Sequence, residues 1–196
     1  MGTYSDSQLK KMILGQDKGT FDDRLERLRY LMSISPGDES VPFPSVVLAY
    51  YEEARLCWYH GAFVSAIVMA QMAFEELLRS HYRAIGINKL PLTGKPPDDA
   101  NFVQLIKQAE QDGYLTVQEA KHIDKIRREY RNRYVHVKNA KIVDGKQDMK
   151  SSNWLTIGMK ALCRNPYGDD ASDEARETMC ILVSILPDIC IRNGGF

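Results

Sequence analysis

The chain has 196 residues, and 26 Lys and Arg balance 26 Asp and Glu, so its formal net charge is zero. This balance excludes a uniformly basic protein that coats nucleic acid, because such a chain must neutralise phosphates along its whole length. Hydrophobic residues make up 44% of the chain and charged residues 27%, which is typical of an ordered globular protein rather than a disordered one. The length suits a single domain, residues 1–196.

No targeting signal is recognisable. The first residues lack the apolar stretch of a secretory signal, and Asp6 stands where a myristoylation pattern needs Ser or Thr. The most apolar stretch, 62–74, is too short to cross a bilayer. The four cysteines include no C-x-x-C pair and are not spaced as a zinc site. We therefore expect a reduced, cytoplasmic protein without membrane association and without a metal.

Helical periodicity dominates and predicts an all-α fold, a compact antiparallel helical bundle. The patterns place helices, in chain order, at 6–14, 21–34, 45–60, 62–85, 101–111, 117–137 and 171–193. The helix at 62–85 is apolar on most sides and has alanines at helical spacing, so we expect it at the centre of the bundle. Residues 86–100 are predicted as a loop. Pro187 is expected to kink or end the last helix.

A capping box, Thr116-Val117-Gln118-Glu119, marks the start of the helix at 117–137. An apolar stripe follows this helix from Val117 to Val137 in steps of three and four. The following residues, 139–170, change in character and are predicted as an insertion before the last helix. Within them, 141–146 are consistent with a small hairpin around an Asp-Gly turn.

Positive charge is concentrated on the helix at 117–137. Seven cations and two anions lie between Lys121 and Lys138, so this segment carries +5 and the rest of the chain −5. Such a helix is either a solvated surface or a face that binds phosphates. At 100° per residue, Arg131 and His136 lie about 140° apart on either side of the polar face. One chain therefore does not easily bring both to one phosphate, whereas two chains near a twofold axis can.

The string Arg131-Asn132-Arg133-Tyr134-Val135-His136 has the form R-N-x-x-x-H near the end of this helix. It resembles the R-x(4–6)-H motif of the HEPN superfamily (higher eukaryotes and prokaryotes nucleotide-binding domains), and Asn132 matches a polar residue that is common there. The segment 74–79, which contains Glu75 and Glu76, is similar to an acidic position on an earlier helix of that family. The likeness covers about 45–138, which would be the core of the domain. Members paired with nucleotidyltransferases continue as H-x-Tyr, whereas Val137 and Lys138 follow here.

The resemblance implies a metal-independent endoribonuclease of toxin or phage-defence type, with RNA as substrate and no cofactor. It also implies a homodimer with a composite site, and an antitoxin or defence-system protein as a partner. His136 would act as general acid or base and Arg131 would stabilise the charged phosphorane. Asn132 would orient the imidazole or a substrate hydroxyl. Further substrate-binding cations would be Arg127, Arg128, Arg133 and Lys138, and supporting carboxylates would be Glu75 and Glu76.

Two other functions fit the same residues. The first is a catalytically inactive HEPN-like helical module that binds RNA, a nucleotide or a protein partner through the basic helix. The second is a structural protein in which Arg131 and His136 are buried in intramolecular ion pairs. Solvent exposure of these two side chains distinguishes the structural function from the other two.

Overall fold

The computed structural model describes residues 6–34, 41–132 and 168–193. All regular structure in these ranges is helical, so the predicted all-α class is confirmed. The elements are α1 (Asp6–Ile34), α2 (Ser45–Tyr59), α3 (Phe63–Ala84), a 3₁₀ turn (Pro97–Asp99), α4 (Phe102–Gln111), α5 (Val117–Lys125), a π-helical segment (Ile126–Arg131) and α6 (Gly168–Arg192). None of the helices within the described ranges is long and apolar enough to cross a membrane.

Helix α3 lies at the centre of the described structure, as its composition predicts. It packs against α2, α4, α6 and the π-helical segment. Ala66, Ala70 and Ala73 are fully buried along it, together with the larger Ile67 and Leu77. The alanines allow neighbouring helices to approach α3 closely, and the larger side chains fill the remaining core volume.

The predicted division of the first helix is wrong. Helix α1 is continuous from Asp6 to Ile34, instead of a short segment followed by a second helix. A single glycine such as Gly15 lowers helix stability by only about 1 kcal/mol relative to alanine, and it does not by itself end a helix. Helix α6 continues through Pro187 to Arg192, in agreement with the predicted end of the last helix, so Pro187 does not end it. The buried side chains of Leu186 and Ile189 offset the cost of about 3 kcal/mol for a proline inside a helix.

The basic helix departs from the regular geometry that the sequence predicts. Ala120, Ile123, Ile126 and Tyr130 are buried as expected, but Val117 is 55% exposed and does not belong to the core stripe. From Ile126 to Arg131 the backbone forms a π-helix, whose i→i+5 hydrogen bonds make a wider turn. The rotation of 100° per residue of a regular α-helix therefore does not apply to this segment. Single π turns inside helices occur often at functional sites.

Several predictions fall on residues that the structure does not describe. These are the end of the basic helix after Asn132, the hairpin at 141–146, most of the insertion at 139–170, and the site residues Arg133, His136 and Lys138. They remain predictions.

Side-chain contacts hold the described part of the basic helix in place. Arg192 at the end of α6 donates two hydrogen bonds of 2.9 Å to the carboxylate of Glu119 in the first turn of α5. Lys125 forms an ion pair of 2.5 Å with Glu177 of α6, and the Tyr130 hydroxyl donates to the same carboxylate. The basic helix is thus fixed to α6 at its start and near Tyr130, while its π-helical segment packs against α3.

Candidate functional site

A cleft of about 400 Å³ opens where three elements meet. Helix α3 forms one wall, the start of α4 a second, and the π-helical segment a third. The residues that line it are Gln71, Glu75, Asn101, Phe102, Val103, Arg127, Arg131 and Asn132. Four of these, Glu75, Arg127, Arg131 and Asn132, are site residues that the sequence predicts. The fold therefore brings together residues from both segments on which the family resemblance depends.

Arg131 and Asn132 lie side by side at the end of the described part of the basic helix. Both are half-buried, and the Arg131 Nη1 donates a hydrogen bond of 3.4 Å to the Asn132 amide oxygen. The predicted role of Asn132 is to orient the imidazole of His136 or a substrate hydroxyl. In the described structure its amide oxygen contacts the guanidinium of Arg131, so Asn132 also limits the directions that this guanidinium can take.

Arg127 is the second arginine of the cleft, and a carboxylate holds it in position. Its Nε and Nη2 lie 2.8 and 2.7 Å from the Asp124 Oδ1, one helical turn earlier. The side chain is only 19% exposed. Asp124 is not among the predicted site residues. The i, i+3 spacing of the two residues is the signal that predicts such a pair.

The other predicted cations do not all reach this cleft. The Arg128 side chain is 66% exposed, pairs with Glu129 at 3.3 Å, and is not among the cleft residues. Lys125 is engaged by Glu177. Arg133, His136 and Lys138 lie outside the described residues. The structure thus separates Arg127, which lines the cleft, from its neighbour Arg128, which faces solvent.

The two predicted carboxylates also separate. Glu75 lines the cleft and forms an ion pair of 2.7 Å with Arg79. Glu76 instead pairs with Arg83 and accepts a hydrogen bond of 3.3 Å from Ser80. Their carboxylates have different partners, so Glu75 and Glu76 do not form a two-carboxylate acid–base pair within the described structure.

Arg79 links the cleft wall to the segment that leads into α4. Besides its ion pair with Glu75, it donates hydrogen bonds to the backbone carbonyls of Pro97, at 3.4 Å, and Ala100, at 3.1 Å. These contacts place the start of α4 beside α3. Arg79 is not a predicted site residue, because its role depends on the approach of α4 to α3.

The start of α4 also lines the cleft, through Asn101, Phe102 and Val103, none of which is a predicted site residue. Asn101 and Gln104 form a capping box, in which each side chain accepts a hydrogen bond of 3.0 Å from the backbone N–H of the other. The N-x-x-Q spacing is the sequence signal for this cap. The backbone N–H groups of Phe102 and Val103 have no acceptor inside the helix, because they belong to its first turn. This end of α4 therefore favours negative charge in the cleft.

Tyr130 and Glu177 show how the charge next to the cleft is balanced. Burial, followed by the hydrogen bond to Glu177, raises the pKa of Tyr130 to about 12. Burial also disfavours ionisation of Glu177, but hydrogen bonds from Lys125 and Tyr130 outweigh it and lower the pKa of this carboxyl. At neutral pH the network is an ionised carboxylate with a charged lysine and a neutral phenol. It fixes the π-helical segment and leaves Arg127 and Arg131 as the cations of the cleft.

Within the ranges that the structure describes, no three His, Cys, Asp or Glu side chains come together in a group that could hold a metal ion. The polar groups of the cleft are guanidinium groups, amides and one carboxylate, which suit hydrogen bonding to an organic anion. Comparison with known proteins finds no matching family model, no matching curated protein and no matching solved structure.

Proposed function

We propose that the protein is a metal-independent endoribonuclease of HEPN type that acts as a toxin or phage-defence effector in the cytoplasm. The observation that supports this function most directly is the cleft in which Arg131, Asn132 and Arg127 meet Glu75. Arg131 and Asn132 of the motif and Glu75 of the acidic segment lie on different helices and line one opening, which supports the proposal. Arg131 is half-buried and lines the cleft, so part of its side chain can be reached from the opening.

The chemistry follows from the residue types. The 2′-OH of one nucleotide loses its proton to a general base, and the resulting oxygen attacks the adjacent phosphorus. The bond from phosphorus to the 5′-oxygen breaks, and the leaving oxygen takes a proton, so the products are a 2′,3′-cyclic phosphate and a 5′-OH. His136, which lies outside the described residues, supplies or removes a proton, since the ordinary pKa of histidine is near neutrality.

Arg131 and Arg127 act on the phosphate. A guanidinium group is planar and permanently charged, so it can donate to two phosphoryl oxygens as negative charge develops on them. The N-terminus of α4 adds a partial positive charge at the same opening. Two protomers that pack with their basic helices near a twofold axis would combine Arg131 of one with His136 of the other.

The test is RNA cleavage by the purified chain in EDTA. We expect cleavage of single-stranded RNA that leaves 2′,3′-cyclic phosphate ends, and its loss in Arg131→Ala and in His136→Ala. Arg128→Ala is the matched control, because it removes an arginine that lies on the same helix but outside the cleft. Cleavage that survives both active-site substitutions contradicts the mechanism. A strictly monomeric yet active protein contradicts the composite site.

The alternative is an inactive helical module that binds RNA, a nucleotide or a protein. The described lining of the cleft supports this function, because its guanidinium groups, amides and carboxylate already offer anion-binding donors and hydrogen-bond acceptors. Folded wild-type protein that binds RNA but never cleaves it would establish this second function in place of the first.

A further inference from the structure

Helices α1 and α2 carry a concentration of exposed apolar side chains. Among the described residues, six of the ten large apolar side chains that are exposed lie on these two helices. Three are on α1 and three on α2: Phe21, Leu28, Met32, Val46, Leu48 and Leu56. Single exposed apolar residues are ordinary on a protein surface, whereas a group of them marks a place of contact with another molecule.

A groove of about 330 Å³ lies between α1 and α2. Its lining combines apolar residues of both helices with three charged residues of α2: Leu28, Leu31, Ala49, Glu52, Glu53, Arg55, Leu56 and Tyr59. Glu52 and Arg55 form an ion pair of 2.9 Å with each other, so their charges largely cancel. None of the eight lining residues belongs to the cleft of Arg131, and the groove is therefore part of a different surface.

The exposed apolar side chains of α1 have the spacing of a helix that packs against another helix. Phe21, Leu28 and Met32 are exposed, and Leu25 between them is half-buried. Their steps of four, three and four residues place all four side chains within about 60° of one another, beside the side of α1 on which Leu31 is buried. Paired helices contact each other through apolar positions with this spacing. The stripe is therefore a contact face for a helix outside the described part of this chain.

Two opposite charges beside the stripe indicate which helix fits it. Asp22 and Arg29 are exposed on the same flank of the stripe, seven residues apart, and neither forms an ion pair with another described residue. When α1 of a second chain lies antiparallel along the stripe, with Phe21 opposite Met32, Asp22 of each chain comes beside Arg29 of the other. The twofold arrangement forms this pair twice, so one alignment matches both the apolar layers and the charges.

We propose that a second copy of this chain docks on the face formed by α1 and α2, with the two α1 helices antiparallel and Phe21 of each chain at the groove of the other. The alignment carries Phe21 to the part of α1 where Leu28 and Leu31 line the groove. An aromatic side chain held in an apolar depression is a typical anchor of a protein interface. The inference does not rest on the proposed function, because none of these residues lines the cleft.

The experiment exchanges the charges beside the stripe and measures self-association of the full chain by analytical ultracentrifugation. Asp22→Arg and Arg29→Asp should each weaken self-association at least about tenfold, because like charges then face each other twice. The double variant with both substitutions should associate as the wild type does. The two single variants should also associate with each other when mixed, since each then meets the opposite charge, and native mass spectrometry identifies the mixed species.

Phe21→Ser tests the apolar part of the interface, and it should also weaken self-association at least about tenfold, as loss of an anchor residue does. Ile85→Ser is the matched control, because Ile85 is 56% exposed and Phe21 58%. Ile85 follows α3 and lines neither the groove nor the cleft. Circular dichroism establishes that each variant is folded, which is expected because the substituted side chains are exposed.

Three results would overturn the inference. A wild type that is monomeric at about 100 µM would leave the face of α1 and α2 to a different protein. An oligomer that Phe21→Ser and both charge substitutions leave unchanged would be held together by another surface. Association that the single charge substitutions weaken, but that neither the double variant nor the mixture restores, would contradict the antiparallel pairing of Asp22 with Arg29.

Discussion

Glu75 and Glu76 are neighbours in the chain, yet their carboxylates have different ion-pair partners and only Glu75 lines the cleft. Glu75 lies in the cleft with Arg131 and is held by Arg79 at 2.7 Å. Glu76 pairs with Arg83, and both glutamates border a smaller depression of about 120 Å³. Adjacent residues of a helix point about 100° apart, so only one of the two can face the cleft directly. This pair therefore offers a matched comparison.

Glu75→Gln should lower the rate of RNA cleavage about tenfold without weakening RNA binding. The substitution removes the ion pair that positions Arg79, and Arg79 in turn positions the start of α4. The start of α4 should therefore shift slightly, and catalysis is sensitive to such small displacements. It also removes a negative charge from a cleft that is proposed to hold phosphate, so affinity should not fall. Single-turnover cleavage and fluorescence anisotropy measure the two effects separately.

Glu76→Gln is the control for this experiment, and it should leave both the rate and the affinity unchanged. An equal loss of rate in the two variants would indicate that the acidic pair acts only through the stability of α3. In that case the assignment of Glu75 to the cleft chemistry is wrong.

Arg127→Ala should weaken RNA binding and reduce its dependence on salt, whereas Arg128→Ala should have a much smaller effect. Arg127 lines the cleft and is oriented by Asp124, while Arg128 is 66% exposed. For single-stranded nucleic acid, each phosphate contact contributes about 0.7 to the slope of log affinity against log salt concentration. Affinities at several KCl concentrations should show a slope smaller by about this amount in Arg127→Ala only. Equal changes in both variants would place RNA on the exposed face of the helix.

Much of the fold is predictable from the sequence, because local signals determine it. Helices α2 and α4 begin and end within one or two residues of the predicted positions, and glycines with positive φ follow both of them, Gly61 at +76° and Gly113 at +74°. The capping box at Thr116 marks the start of α5 as predicted. Pro187 does not end α6, because burial of Leu186 and Ile189 on either side of it outweighs this local signal.

The site is only partly predictable for a related reason. Arg127, Arg131, Asn132 and Glu75 carry sequence signals, either a motif or a resemblance. Gln71 carries a weaker signal, as a polar residue on an apolar helix. Its position in the cleft depends on the approach of α4, which tertiary contacts such as those of Arg79 bring about. Arg127 lines the cleft and Arg128 faces solvent because of the way the π-helical segment packs. A periodicity of 100° per residue does not predict this packing.

Glu119→Gln should lower the free energy of unfolding by about 1 kcal/mol at pH 7, through loss of the charged contact with Arg192. Glutamine at this position can still close the capping box with Thr116, so the substitution tests the contact with α6 alone. Urea denaturation of both proteins measures the difference. Glu110→Gln, at an exposed position on α4, should leave stability unchanged.

The difference between wild type and Glu119→Gln should also depend on pH. Burial opposes ionisation of Glu119, but the hydrogen bonds from Arg192 and Thr116 outweigh it and lower the pKa below its ordinary value of 4.5. A lowered carboxyl pKa stabilises the folded state fully above about pH 4.5, and this contribution is lost as the pH falls through the folded-state value. The two proteins should therefore converge in stability in acid. A constant difference from pH 7 to pH 3 would show that the ion pair is not its source.

Ala70→Leu should destabilise the protein by about 1–3 kcal/mol or more, because it adds three carbon atoms where helices approach closely. Ala70 is fully buried on α3, the helix that packs against α2, α4, α6 and the π-helical segment. Ala84→Leu makes the same change at the exposed last residue of the same helix, where we expect an effect within about 0.5 kcal/mol. Thermal and urea denaturation of the two variants give the comparison. Equal stability would mean that the alanines of α3 do not mark a close helix contact, and the position of α3 relative to the cleft would then need another explanation.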